Sequence, residues 1–385
     1  MSGMNHQRRL MLTGGLMTLI GSMPLGSAQA ASASTRTAYV GCRTTKERNA
    51  RGKGIGVYRV TPSGWTQIQL VEGLDNPSFL ALDRTGRFLY ALHGDLSDIS
   101  AYAIHGGDGT LTLLNRQSTG GKNPVHLVPD PSNRFMVVAN YATGSLATLP
   151  ISSDGQLGPV VDLAQLPGTP GPHKSQQQSA HPHDVPYDRQ GRFMVVPDKG
   201  LDKVFTYRVD PANGRLIAGP AVKSREGAGP RHADFHPSLP LTYVVNELDS
   251  TVTTYRYDPQ TGALHPLQIV STLPDSYTGD NTGAEIAVAP SGRHLFVSNR
   301  GHDTIATIAI DVSTGLLSPK SWVESRGKGP RFFALDPDGT QLYAANENSD
   351  TVIGFKIDPS DGRLTPSGLE VRTGSPVCVV FGSDA

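Results

Sequence analysis

The chain has 385 residues, with Lys+Arg 34 balanced by Asp+Glu 34, so no net field points to nucleic acid or an anionic membrane as partner. Gly 43 and Pro 29 together make roughly a fifth of the chain, against about 12% in an average protein. That much punctuation excludes a helical bundle and suits many short strands joined by turns; past the N-terminus no apolar run is long enough to span a bilayer.

The first segment, residues 1–30, reads as an export signal: Arg8-Arg9, a diluted apolar stretch from Leu10 to Leu25, then Ala28-Gln29-Ala30 as a small-residue cleavage site. The paired arginines favour the twin-arginine route and a periplasmic or secreted protein, with residues 31–385 as one domain.

A repeat organises everything that follows. Pro77, Pro124, Pro182, Pro230, Gly283 and Pro330 each open an apolar run, and sixteen residues later comes His93, Asn140, Asp198, Asn246, Asn299 or Asn346. A turn such as Asp336-Pro337-Asp338-Gly339 divides each unit, which is therefore a β-hairpin of strands A and B. A second turn, between strands C and D, is marked by Gly64, Gly109, Gly155, Gly214, Gly262, Gly315 and Gly362. Seven C–D turns against six A–B hairpins mean that one unit is split. Its B, C and D strands (Thr37 to Leu70) open the chain and its A strand (Pro376 to Phe381) closes it. Four strands per unit at a period near fifty residues predict an all-β, seven-bladed propeller closed by that seam.

The two cysteines, Cys42 and Cys378, fall in the split blade. The repeat places Cys378 opposite Tyr39 and Cys42 on the other face, so two free thiols are expected rather than a disulfide.

In an A–B hairpin the start of A and the end of B lie together, and A lines the central channel. One mouth thus collects His126, His183, Asp184, Arg231, His232, Glu285 and Arg331 from the starts of A. The ends of B add His93, Tyr141, Asp198, Lys199, Glu247, Arg300 and Glu347. Titratable groups crowded at a concave mouth are a candidate active site. The longest D-to-A connection, Leu166 to Ala180, enters at this mouth and reads as a lid or substrate loop. His181 and His183 have the spacing of two metal ligands on a strand, but no third ligand is near in sequence, and neither metal nor cofactor is expected. Arg331 with Glu347 reads as a structural pair within one blade, whereas Arg231 and Glu247 face the loop.

Several blocks in order resemble the lactonase family of β-propellers, which includes propeller-type 6-phosphogluconolactonases and carboxymuconate cyclases. They are Ala139-Asn140-Tyr141, His181-Pro182-His183, Gly229-Pro230-Arg231-His232, Asn246-Glu247-Leu248, Ala284-Glu285-Ile286 and Ser298-Asn299-Arg300-Gly301-His302. The resemblance implies active-site roles for His183, Arg231, Glu247 and Arg300, with His126, Asp198, Lys199, His232 and Glu285 as further substrate contacts. Two features depart from the family: the export signal and a lysine at position 199. The expected activity is hydrolysis of a sugar-type lactone by base-activated water, with Glu247 or His183 as the base. A lactonising cycloisomerase would use the same groups in reverse, and a non-catalytic envelope propeller would use the mouth to bind a ligand or protein.

Overall fold

The computed structural model describes residues 36–382; the predicted export signal lies outside the described residues. Seven antiparallel sheets follow one another along the chain. Blade I joins Arg36–Cys42, Gly54–Thr61 and Gly64–Glu72 to the last strand, Pro376–Phe381, so the first and last strands zip the ring shut. Blade II (Pro77–Leu82, Phe88–His93, Asp98–Ile104, Leu111–Ser118) and blade III (Pro124–Pro129, Phe135–Asn140, Ser145–Pro150, Asp162–Gln165) have four strands each. So do blade V (Pro230–Phe235, Leu241–Asn246, Thr251–Tyr257, Leu264–Ser271) and blade VI (Thr282–Val288, His294–Arg300, Thr304–Ile310, Leu317–Glu324). Blade VII (Pro330–Leu335, Gln341–Asn346, Thr351–Ile357, Leu364–Arg372) completes the set.

Blade IV differs from the prediction. Its regular sheet has three strands, Met194–Asp198, Lys203–Val209 and Leu216–Lys223, and its inner strand is reduced to the bridges Pro182↔Asp198 and Tyr187↔Met194. Pro182, Pro186 and Pro197 lack the N–H that a continuous ladder requires.

The B strands carry the core. Phe88–His93, Phe135–Asn140 and Leu241–Asn246 are buried at every position, whereas the outer strand Leu111–Ser118 is mostly exposed or half-buried. Apolar clusters from neighbouring blades interlock, as where Leu241, Tyr243 and Val245 of blade V meet Ile286, Val288 and Val297 of blade VI.

The C–D turn glycines have a second use. Gly109 (φ 77°), Gly155 (φ 83°) and Gly315 (φ 70°) adopt a left-handed turn, and each carbonyl accepts a hydrogen bond from the preceding blade. The donors are the hydroxyls of Tyr39 (2.9 Å), Tyr90 (3.0 Å) and Tyr243 (2.9 Å). The Gly64 carbonyl instead accepts from Thr61 Oγ1 of its own blade (3.0 Å). At that junction Trp65 packs against Tyr343 with ring centroids 5.1 Å apart, beside a groove of about 1000 Å³ far from the charged mouth.

Cys42 and Cys378 are free and buried, as expected. The register differs by two residues, because Gly41 rather than Tyr39 lies opposite Cys378 and Pro376 pairs with Cys42. The thiols still face opposite ways: Cys42 packs with Ala38 and Val40, and Cys378 with Tyr39 and Leu80. Burial pushes the Cys42 thiol up to about 12 and that of Cys378 higher still. Both thiols should resist a thiol-titrating reagent in native protein and react fully in denaturant; reaction of either in the native state would contradict the packing.

Candidate active site

The same irregularity recurs where strand A begins. Pro77 pairs with His93 but Phe79 with Leu92; Pro230 pairs with Asn246 but His232 with Val245; Pro330 pairs with Asn346 but Phe332 with Ala345. One extra residue on strand A is a β-bulge, and a bulge lets two consecutive side chains face the same way. Arg231 and His232 consequently line one cavity, as do Arg331 and Phe332, and His183 joins them from blade IV.

The polar residue that ends each B strand does structural work instead. Asn140 donates to the Thr119 carbonyl (3.2 Å), Asn299 to Thr272 (2.9 Å) and Asn346 to Ser325 (3.0 Å), each holding its blade to the incoming D-to-A connection. His93 bonds Ser100 Oγ (2.8 Å). Asp198 belongs to this ring: its Oδ1 accepts the backbone N–H groups of His181, Gly200 and Leu201, each at 2.9 Å. Wholly buried, with its carboxyl raised by burial to about 6, Asp198 is placed as a turn anchor and not as the substrate contact expected of it.

One residue further on, the side chains reach the mouth. Glu247 lies at the centre, with Lys199 Nζ 2.8 Å from its Oε1, and Arg231 Nε at 3.0 Å and an Arg300 terminal nitrogen at 3.3 Å from its Oε2. Burial alone would raise this carboxyl, but Arg300, Lys199 and Arg231 together hold it well below the usual carboxylate range. Arg231 is buried and also donates to the Ala284 carbonyl (2.6 Å); Arg300 donates to Gly283 (2.9 Å).

Behind this cluster runs a second chain. Glu285 Oε1 is 2.9 Å from His232 Nδ1, and His232 Nε2 is 3.2 Å from His183 Nδ1. Burial lowers both imidazoles well below their ordinary value and raises the Glu285 carboxyl to about 8. His232 and Glu285 thus support His183 from behind. His126 sits deeper, its Nε2 3.0 Å from Asp184 Oδ1, with its ring packed on Phe79 and facing the opposite funnel. That position takes His126 out of the mouth where it was expected.

His183, Arg231, His232 and Arg331 share a cavity of about 10 Å³, the size of one water molecule. The connection over the mouth is pinned. Gln177 Nε2 donates to the Lys199 carbonyl (2.9 Å) and Asp202 Oδ1 (2.7 Å), and Gln176 Oε1 accepts from Lys199 Nζ (2.8 Å). The segment is a wall that helps to place Lys199. His181 stacks on Tyr141 at 4.3 Å, and among the described residues no group of three His, Cys, Asp or Glu side chains is arranged to hold a metal.

Two expectations change. Arg231 and Glu247 form the ion pair within one blade, whereas the nearest cation to Glu347 is Arg43, with Nε 3.9 Å from its Oε1. Arg43, buried in the cavity wall, was absent from the expected site. The signal was available: with Pro376 paired to Cys42, Arg43 occupies the position that Glu247 and Arg300 occupy in their own blades.

A bulged ring of A strands around a buried histidine, arginine and glutamate cluster defines a propeller with enzyme-like chemistry at one mouth. The family model described as "Lactonase, 7-bladed beta-propeller" matches residues 37–381, and the chain belongs to that family. It is 33% identical over 304 residues to a 6-phosphogluconolactonase of Bacillus subtilis (strain 168), covering 77% of this chain and 84% of that one. Among solved structures it is similar to the Pseudomonas aeruginosa periplasmic gluconolactonase, with TM-score 0.83 and 28% identity over 91% of this chain and 100% of that one. A Lactobacillus plantarum protein superposes equally well, with TM-score 0.83 and 30% identity over 91% of this chain and 100% of that one.

Proposed function

We propose that this protein is a lactone hydrolase in which His183 activates water, Arg231 and Arg300 stabilise the oxyanion, and Glu247 fixes those two arginines. The observation that carries the assignment of roles is the triple cationic contact of Glu247. Both oxygens of the Glu247 carboxylate are already engaged by cations, which leaves the neutral His183 beside a water-sized cavity to take the proton. The resulting hydroxide adds to the ester carbonyl, and charge develops on an oxygen facing the guanidinium groups. When the ring C–O bond breaks, His183 returns the proton to the leaving alkoxide. Water is consumed and a hydroxy acid is formed.

The Glu285–His232 pair sets which nitrogen of His183 carries the proton. With Glu285 ionised, His232 Nδ1–H donates to it, His183 Nδ1–H donates to His232 Nε2, and the free His183 Nε2 lone pair is a base. With Glu285 protonated the donors reverse, and His183 presents N–H in place of a lone pair. A carboxyl at about 8 therefore makes kcat/KM rise with pH through that region, once uncatalysed lactone opening is subtracted. The same raised value means that Glu285 favours the folded state below its unfolded pKa of ~4.3, a contribution lost as pH rises through about 8. A pH-stat assay on a panel of aldonolactones should show turnover with this alkaline limb, and Glu285→Gln should abolish the limb. No turnover of any lactone would sink the functional reading; an unchanged limb in the variant would sink the relay.

The export reading of residues 1–30, by the twin-arginine route, places this hydrolase in the periplasm or outside the cell. The likeness to a periplasmic gluconolactonase supports it. Among the described residues, no helix is long and apolar enough to cross a membrane.

A further inference from the structure

Six of the seven blade junctions are plugged at the end opposite the charged mouth, and the seventh is open. Between the last paired residues of strands C and D lie six residues in blade II (Ile104 to Leu111), and likewise in blades IV, V, VI and VII. The glycine in each tip, and in that of blade III, rests at or beside the start of strand B of the blade before it. An added Cβ would come within 3.0 Å of Thr37, Phe88, Phe135, Phe193, Leu241 or His294. In blade I only Pro62 and Ser63 separate Thr61 from its partner Gly64, and a Cβ on Gly64 would meet nothing within 4 Å.

Two further ties are missing at this junction of blades VII and I. Tyr343 holds the place of Tyr90 and Tyr243 in strand B, yet among the described residues its hydroxyl makes no hydrogen bond. In strand D, Gln69, Asn115 and Gln268 each clamp both backbone groups of the leucine that follows the next blade's turn, Leu111, Leu157 and Leu317. Gly368 is the fifth residue of its strand, as Asn115 and Gln268 are of theirs, and it has no side chain to make the clamp.

What these three absences leave is the groove of about 1000 Å³, at the upper end of the volumes that hold small ligands. Trp65 lines it, half-buried and braced by Tyr343 and by Phe381, whose ring stands edge-on at 5.7 Å. The Trp65 Nε1–H, the Gln341 amide, the Tyr343 hydroxyl and the Lys356 ammonium have no hydrogen-bond partner among the described residues. The carboxylates of the walls are already engaged: Asp338 faces Arg36 (3.6 Å), Glu370 faces Arg372 (3.2 Å), and Asp336 accepts from Thr340 Oγ1 (2.8 Å). With both signs of charge interspersed, the lining has no field that selects an ion.

We propose that this groove binds a neutral oligosaccharide, with one pyranose ring lying on the Trp65 indole. A pyranose presents a flat C–H face to an aromatic ring and, around its rim, hydroxyls that both donate and accept. The indole supplies the apolar surface, and the amide, hydroxyl and ammonium groups supply the partners for the rim. The site stands independently of the lactonase reading. It lies away from the charged mouth, so an occupied groove leaves the mouth open and tethers the protein to a saccharide chain.

The probes are tetrasaccharides of glucose, mannose, galactose and N-acetylglucosamine, titrated calorimetrically into the full chain, with the corresponding immobilised polysaccharides as a retention assay. At least one probe should bind. A tetrasaccharide that binds shows a free sugar to be sufficient, and retention on polymer alone assigns the site to a polysaccharide surface. Replacing Pro62-Ser63 by the six-residue tip of blade V, Asp258 to Ala263, should fill the groove and abolish binding without lowering the melting temperature. Gln341→Ala, which disturbs no contact of the fold, should weaken binding about fivefold, the scale of one hydrogen bond. In a Trp322→Phe background the emission of Trp65 should shift on saturation. Binding by none of the probes would overturn the proposal, as would an affinity unchanged in both the grafted variant and Gln341→Ala.

Discussion

His183→Ala should lower kcat for lactone opening by about 10²–10⁴-fold, the range that a positioned acid–base group contributes. The loss should fall on kcat more than on KM, because the arginine cluster that would hold the substrate stays in place. Among the described residues His183 makes one side-chain hydrogen bond, to His232, and it abuts a cavity, so its removal leaves little unpaired and should shift the melting temperature by only a few degrees. His232→Ala should cost less, since it loses control of the tautomer and keeps the imidazole that meets the water. A variant lacking His183 with kcat within threefold of wild type would refute the assignment and return the base to another group at the mouth.

The fold was legible because its signal is a count. A fixed interval between the proline or glycine that opens strand A and the polar residue that ends strand B requires only that both strands keep their lengths. The inner edge of blade IV was not, because Pro182 keeps the repeat position while Pro186 and Pro197 take donors out of the ladder between the two strands. For the site, position gave a ring of titratable residues, the family resemblance singled out His183, Arg231, Glu247 and Arg300 from it, and the structure brings these four to one mouth. Position could not separate the two rings at the ends of the B strands. Asp198 and Lys199 are adjacent in sequence, yet one anchors backbone while the other reaches Glu247. The bulge that turns both Arg231 and His232 inward has no signature in a single sequence. Arg43 was lost to a two-residue error in the seam, where the register is closed by strands more than three hundred residues apart and no turn fixes it.

Glu247→Ala should be the most damaging single change to stability at this site, at about 3–5 kcal/mol, the scale for removing one partner from a buried ion pair. The carboxylate is 10% exposed in its side chain and contacts three cations, of which Lys199 and Arg231 are themselves nearly inaccessible. Without it those charges repel one another in a medium that screens them poorly. The pH dependence has a definite sign. Glu247 is depressed in the folded state, so its contribution is fully present above the unfolded carboxylate pKa of ~4.3 and is lost as pH falls through the folded value. The gap in melting temperature between wild type and variant should therefore be wide at neutral pH and narrow in acid. Glu247→Gln should lie between the two, because the amide oxygen still accepts from Lys199 but carries no charge. Activity should follow for a separate reason: guanidinium groups freed from Glu247 no longer stand where the oxyanion forms, and kcat/KM should fall about 10²–10³-fold, the scale set by losing one oxyanion donor. If thermal unfolding of Glu247→Ala matched wild type at pH 7, the three cations would have to be solvated in solution. The closed arrangement around the carboxylate, and with it the choice of His183 as base, would then fail together.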